Sequence, residues 1–275
     1  MATKKAVQKS VKASATKPAT VTTKTSTVKA VRATEDRSLV SSVLKRAPLI
    51  GTLVAEFIGT FLLAIAVIAG QGQPIIVLFA IAGVVLMVGA MSGAHINPAM
   101  TIGAWATKRI SGLRALGYIV AQILGGLAAF GLLNAFIGGA APVDAAAQAY
   151  GQAPPALFKA AVLPAGKEWY VFFSELVGTA ILGFAVATAL REKRDRIVSA
   201  FTVGLGIFIA LLLAASAASY VSGTAILNPA VAFSLQAVKW SVWPLAVYVL
   251  APVIGGVIGF FLQDLLRVEN DAARN

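Results

Sequence analysis

Ser92-Gly93-Ala94-His95-Ile96-Asn97-Pro98-Ala99-Met100-Thr101 and, later in the chain, Ser222-Gly223-Thr224-Ala225-Ile226-Leu227-Asn228-Pro229-Ala230-Val231-Ala232-Phe233 each read as a loop that runs into a helix. Asn is a favoured helix N-cap and Pro is favoured at the first helical position. The apolar segments that start there, 97–105 and 228–237, are too short to cross a hydrocarbon core, which needs about 20 helical residues. Short apolar segments of this kind beside full spans suggest re-entrant half-helices.

The surrounding chain supplies the full spans. Of its 275 residues, 58% are hydrophobic and the mean hydropathy is +0.83. Six long apolar stretches lie near 49–70, 74–91, 114–137, 169–190, 197–220 and 243–266. The predicted fold is therefore all-α and membrane-embedded, with six transmembrane helices plus two re-entrant half-helices. The longest connection, 138–168, contains an Ala-rich run from Asp144 to Tyr150 that reads as a short helix.

The net charge of +12 sits mainly at one end. Residues 1–48 carry 11 Lys and Arg against Glu35 and Asp36, with no apolar run, and read as a disordered basic tail. Such a tail is either simply solvated or held to anionic lipid or another polyanion; a folded basic face for specific nucleic acid is not indicated. It lacks the apolar core of a secretory leader. Across the predicted topology, 20 of the 23 basic residues fall on one side. The positive-inside rule then places both termini, including a C-terminal tail at 267–275, in the cytoplasm of a multi-pass protein, with the cell membrane as the expected location. Trp105, Trp169, Tyr170, Trp240 and Trp243 lie near span ends and read as interface anchors.

The two halves repeat, with repeat 1 over about 49–137 and repeat 2 over about 169–266. Ala55-Glu56-Phe57-Ile58-Gly59-Thr60 returns as Ser174-Glu175-Leu176-Val177-Gly178-Thr179, and the Asn-Pro-Ala turn returns as described. Tyr118-Ile119-Val120-Ala121 with Gly125-Gly126 returns as Tyr248-Val249-Leu250-Ala251 with Gly255-Gly256. Three matches in one order argue for duplication. Three spans per half make the repeat an inverted 3+3 one, so the half-helices enter from opposite faces and meet near mid-membrane.

A helix N-terminus offers unpaired N–H groups and about half a positive charge. Two facing each other oppose cations and protons in a narrow pore. The amides of Asn97 and Asn228 can donate to a passing oxygen, so a neutral solute with a lone pair fits. No nucleophile–base pair, metal cluster or cofactor motif stands out, so an enzyme is not indicated. An ion-coupled transporter of inverted-repeat type, or a junction protein with a closed pore, stays open as an alternative.

The first signature loop, together with Glu56 in Ala-Glu-Phe-Ile-Gly-Thr, resembles the aquaporin and glycerol-facilitator family over residues 49–266. The resemblance implies one pore per subunit, a homotetramer in the lipid bilayer, and passage of water and small neutral solutes such as glycerol. It places Asn97, Pro98, Ala99, Asn228, Pro229 and Ala230 at the pore centre. It implies that Glu56 and Glu175 brace the half-helix loops by accepting backbone N–H bonds, the alternative being solvated or helix-interface glutamates. It implies that His95 lines the cytoplasmic half of the pore and can offer a hydrogen bond, the alternative being a buried structural histidine. Most relatives carry arginine directly after the second Asn-Pro-Ala; here the residue is Val231. Counting back from the asparagines puts the other constriction positions at Val77, Ala225, and Ser216 or Ala217, all small or apolar. The implied outer filter is wide and poor in donors.

The chain has no cysteine. Mercurials should therefore leave its permeability unchanged; inhibition that added thiol reverses would contradict this.

Overall fold

The computed structural model describes residues 48–140, 148–151 and 153–272. The expected basic tail lies outside these residues, as does most of the expected helix at 144–150. Among the described residues there is no strand, and six helices are long and apolar enough to cross a membrane.

The elements follow the start and stop signals. α1 (Pro48–Ala69) is followed by α2 (Pro74–Ser92), which has Pro74 at its start and Gly93 as its C-cap at φ +90°. Only glycine takes that left-handed position without cost. α3 (Pro98–Ala106) is the first half-helix. α4 (Gly112–Gly138) follows, capped by Ser111, and α5 (Glu168–Ala189) opens the second half. α6 (Arg196–Ser219) is capped by the Asp195 carboxylate, which accepts from the N–H groups of Ile197 and Val198. α7 (Pro229–Ser234) is the second half-helix, shorter than the expected 228–237.

The sixth span is not a uniform helix. It begins as α8 (Val242–Leu245), passes through a π-helical turn at Ala246–Leu250 and continues as α9 (Ala251–Ala272). The π turn stands just before Pro252. Proline has no N–H and its ring crowds the carbonyl four residues back, so the turn widens there. α9 runs past the expected end at 266, because Leu265, Leu266 and Arg267 favour helix.

Packing shows the repeat directly. α1 packs on α4 and α2, as α5 packs on α9 and α6; α3 packs on α9 of the other half, as α7 packs on α4. The paired glycines allow both crossings. A Cβ on Gly125 would run into the carbonyl of Phe57 in α1, and one on Gly255 into that of Leu176 in α5. A Cβ on Gly126 would lie 2.7 Å from the Ala230 carbonyl oxygen, and one on Gly256 2.7 Å from that of Ala99. Each diglycine thus seats its helix on the first span of its own half and on the half-helix of the other.

A polar cluster closes the basic end of the bundle. Arg109, just after α3, donates to the Ala187 carbonyl, to Gln263 and to Asp264, the last at 2.8 Å. Arg191 reaches the same Gln263 and Asp264. The Arg109 guanidinium also lies over the Phe260 ring, 4.9 Å from its centroid.

Gly256→Ala should destabilise the protein by about 1–3 kcal/mol, the usual cost of overpacking. Gly131→Ala, where a Cβ meets nothing within 4 Å, should be neutral or slightly stabilising. Thermal unfolding in detergent compares the two; equal effects would contradict the packing argument.

Candidate functional site

The two Asn-Pro-Ala turns meet in the interior. The Asn97 side-chain oxygen caps its own helix, accepting from Ala99 N–H at 2.9 Å; that of Asn228 accepts from Ala230 N–H at 3.0 Å. Each amide Nδ2 reaches across to the other half. Asn97 donates to the Leu227 carbonyl at 2.8 Å, and Asn228 donates to the Ile96 carbonyl at 3.0 Å. Ile96 and Leu227 are thus equivalent residues, each directly before its asparagine.

Both take an unusual conformation. Ile96 has φ +41° and Leu227 has φ +60°. A non-glycine residue there is uncommon, and a β-branched one is an outlier that costs on the order of 1–3 kcal/mol. The surroundings hold each residue from three directions. The carbonyl accepts from the opposite asparagine. The N–H donates to a buried glutamate: Ile96 to Glu56 at 2.6 Å, Leu227 to Glu175 at 2.9 Å. The side chain packs into the space left by a glycine one helical turn after that glutamate. A Cβ on Gly59 would stand 2.6 Å from Ile96 Cγ2, and one on Gly178 2.7 Å from Leu227 Cδ2.

Each glutamate accepts a second loop N–H, from His95 at 2.9 Å and from Ile226 at 2.5 Å. Glu56 also accepts from the Gln122 amide, which in turn donates to Thr101 at the start of α3. These bonds fix the alignment of the loops: His95 corresponds to Ile226, so the extra residue of the second loop lies further upstream.

A cavity of about 290 Å³ leads from the end of the bundle opposite the basic cluster down to Asn97 and Asn228. Val77, Ala225 and Val231 line it, as do Ile81, Leu182, Ile207 and Leu211. Among the described residues, no charged side chain lines it. Pro98, Ala99, Pro229 and Ala230 are buried behind the asparagines.

One expectation needs correction. Ser216 and Ala217 are exposed on the outer face of α6; their neighbour Ala215 lines the cavity instead, together with Ile207 and Leu211 of the same helix. One helical residue turns a side chain by about 100°, enough to move it from the lining to the surface. His95 is buried on the basic side of the asparagines, away from this cavity, and its ring stands edge-on to Tyr118 at 5.3 Å. Counting along the chain also missed Ile81, Leu182, Ile207 and Leu211 on the spans, and Phe158 from the α4–α5 connection, which all line the cavity.

Six membrane-length helices, with two half-helices meeting at the foot of an uncharged cavity, define a channel-type membrane protein. The comparisons make this specific. The family described as Major intrinsic protein matches residues 43–263. An aquaporin AqpM of Methanothermobacter marburgensis is 29% identical over 204 residues, covering 70% of this chain and 74% of that one. Aquaporin NIP1-4 of Oryza sativa subsp. japonica is 30% identical over 233 residues, covering 80% and 78%. The X-ray structure of the aquaglyceroporin from Plasmodium falciparum superposes with a TM-score of 0.60 at 20% identity, covering 78% of this chain and 96% of that one, and shares the fold. The chain belongs to the major intrinsic protein family, whose members are channels and not enzymes.

Glu175→Gln should destabilise the protein by about 1–3 kcal/mol, because one of two buried N–H donors then faces an NH₂ group instead of an acceptor. A melting temperature in detergent equal to that of the parent would show that the carboxylate does not hold the loop.

Proposed function

We propose that this chain is a passive conduit for water and small uncharged solutes, glycerol among them, with Asn97 and Asn228 as the polar station midway. The observation that carries this reading is the uncharged cavity that ends on those two amides. One hydrogen of each amide is used across the half-helix junction, which leaves the second to donate to a solute oxygen. A cation leaving water finds apolar walls and N–H donors there, and no carboxylate to replace its hydration shell. A neutral solute loses less.

The walls below the mouth are apolar and uncharged, with Gln71, Gln73 and Thr224 as polar side chains at the rim, and this favours a permissive range. Val231 follows Ala230 at the cavity wall, where an arginine would bring donors and charge. Val77, Ala215 and Ala225 add no donor side chain. The arrangement suits solutes larger than water and does not impose strict water selectivity. The same reading places the basic end and both termini in the cytoplasm of the cell membrane, and the protein as a homotetramer in lipid.

Proteoliposomes carrying the chain should shrink faster than empty ones under osmotic load and should admit glycerol and urea down their gradients alone. Val231→Arg should lower the glycerol-to-water permeability ratio by about tenfold, or about 1.4 kcal/mol of barrier. Rates equal to those of empty liposomes would overturn the conduit, and an unchanged ratio in the variant would overturn the role of Val231.

A further inference from the structure

We infer that Phe158, carried on the α4–α5 connection, limits solute size at the mouth of the cavity, in place of the side chain that Val231 does not provide. The inference rests on the conduit reading above and adds to it the residue that sets the size limit.

The segment around Phe158 is fixed, and it is fixed to the half-helix that bears Val231. The Ala160 N–H donates to the Leu235 carbonyl, just after α7, at 3.1 Å. The Ala161 N–H donates to Thr224 Oγ1, in the loop before α7, at 3.0 Å. The connection therefore straps across the second Asn-Pro-Ala loop at both of its ends. Thr224 is itself held, since its carbonyl accepts from the Tyr248 hydroxyl at 3.2 Å. On the other side of Phe158, Leu157 packs against the core.

This places the Phe158 ring between the two halves. One wall beside it is the α1–α2 turn, where Gly72 has φ +67° and a Cβ would come within 3.2 Å of Phe158 Cε1. Thr224 and Ala225 line the same cavity. The ring is only partly buried, and it lines the cavity. An aromatic face of this size excludes bulky solutes without adding charge, and it gives a strongly hydrated polyol no replacement hydrogen bond. The class that passes most easily is small and neutral, with few hydroxyl groups.

The test compares the full chain with Phe158→Ala, Phe158→Trp and Tyr150→Ala in proteoliposomes, with stopped-flow permeabilities for water, glycerol and sorbitol. Tyr150 lies in the same connection and is 94% exposed, so its variant should match the parent. Phe158→Ala should raise the sorbitol-to-water ratio by about tenfold, and Phe158→Trp should lower the glycerol-to-water ratio. Opposite shifts support the assignment, because loss of packing alone would move both variants in one direction. Conduction with ratios unmoved, or moved the same way in both Phe158 variants, overturns it and leaves the conduit reading intact. Flux no faster than in empty liposomes for every chain overturns both.

Discussion

A loop that ends inside a membrane must find partners for its backbone N–H and C=O groups without water, since each unpaired group costs several kcal/mol there. Two such loops lie in this protein's interior, and the rest of the architecture follows from satisfying them. Glu56 and Glu175 take two N–H groups each. Asn97 and Asn228 take the first N–H of their own half-helices and fill the last carbonyl of the opposite loop. A carboxylate is expensive in hydrocarbon. Here it is fully buried and spent on donors that no other group reaches.

The strained residues show why the parts come as a set. Ile96 and Leu227 can hold positive φ only while the glutamate, the opposite asparagine and the helix glycine all act on them. The spacing from Glu56 to Gly59, and from Glu175 to Gly178, puts the acceptor and the vacancy on one face of the helix, a turn apart. The diglycines then let the half-helices sit against the opposite repeat, so neither half is complete without the other.

Much of this fold was legible in the sequence. Six apolar runs, three repeated motifs and the Asn-Pro starts each have a physical reason tied to residue type. What was not legible depends on rotation and on long-range contact. Ala215 rather than Ser216 or Ala217 lines the cavity because counting along a helix tolerates no error of one residue. The widened turn before Pro252 could have been suspected from the proline alone, but proline in a membrane span also gives simple kinks. Phe158 carries no periodic signal. The hint was two apolar pairs, Leu157-Phe158 and Val162-Leu163, standing between Pro155 and Pro164, with nothing in the spacing to say which of them reaches the cavity.

The central claim is that the paired asparagines form a station that neutral solutes cross and charges do not. The most direct measurement follows internal pH and vesicle volume together in proteoliposomes whose membrane potential is clamped. The account predicts osmotic flux well above that of empty liposomes, with proton flux no greater than theirs. Proton entry that rises with the solute flux, or solute flux that appears only when a proton gradient is applied, would contradict it.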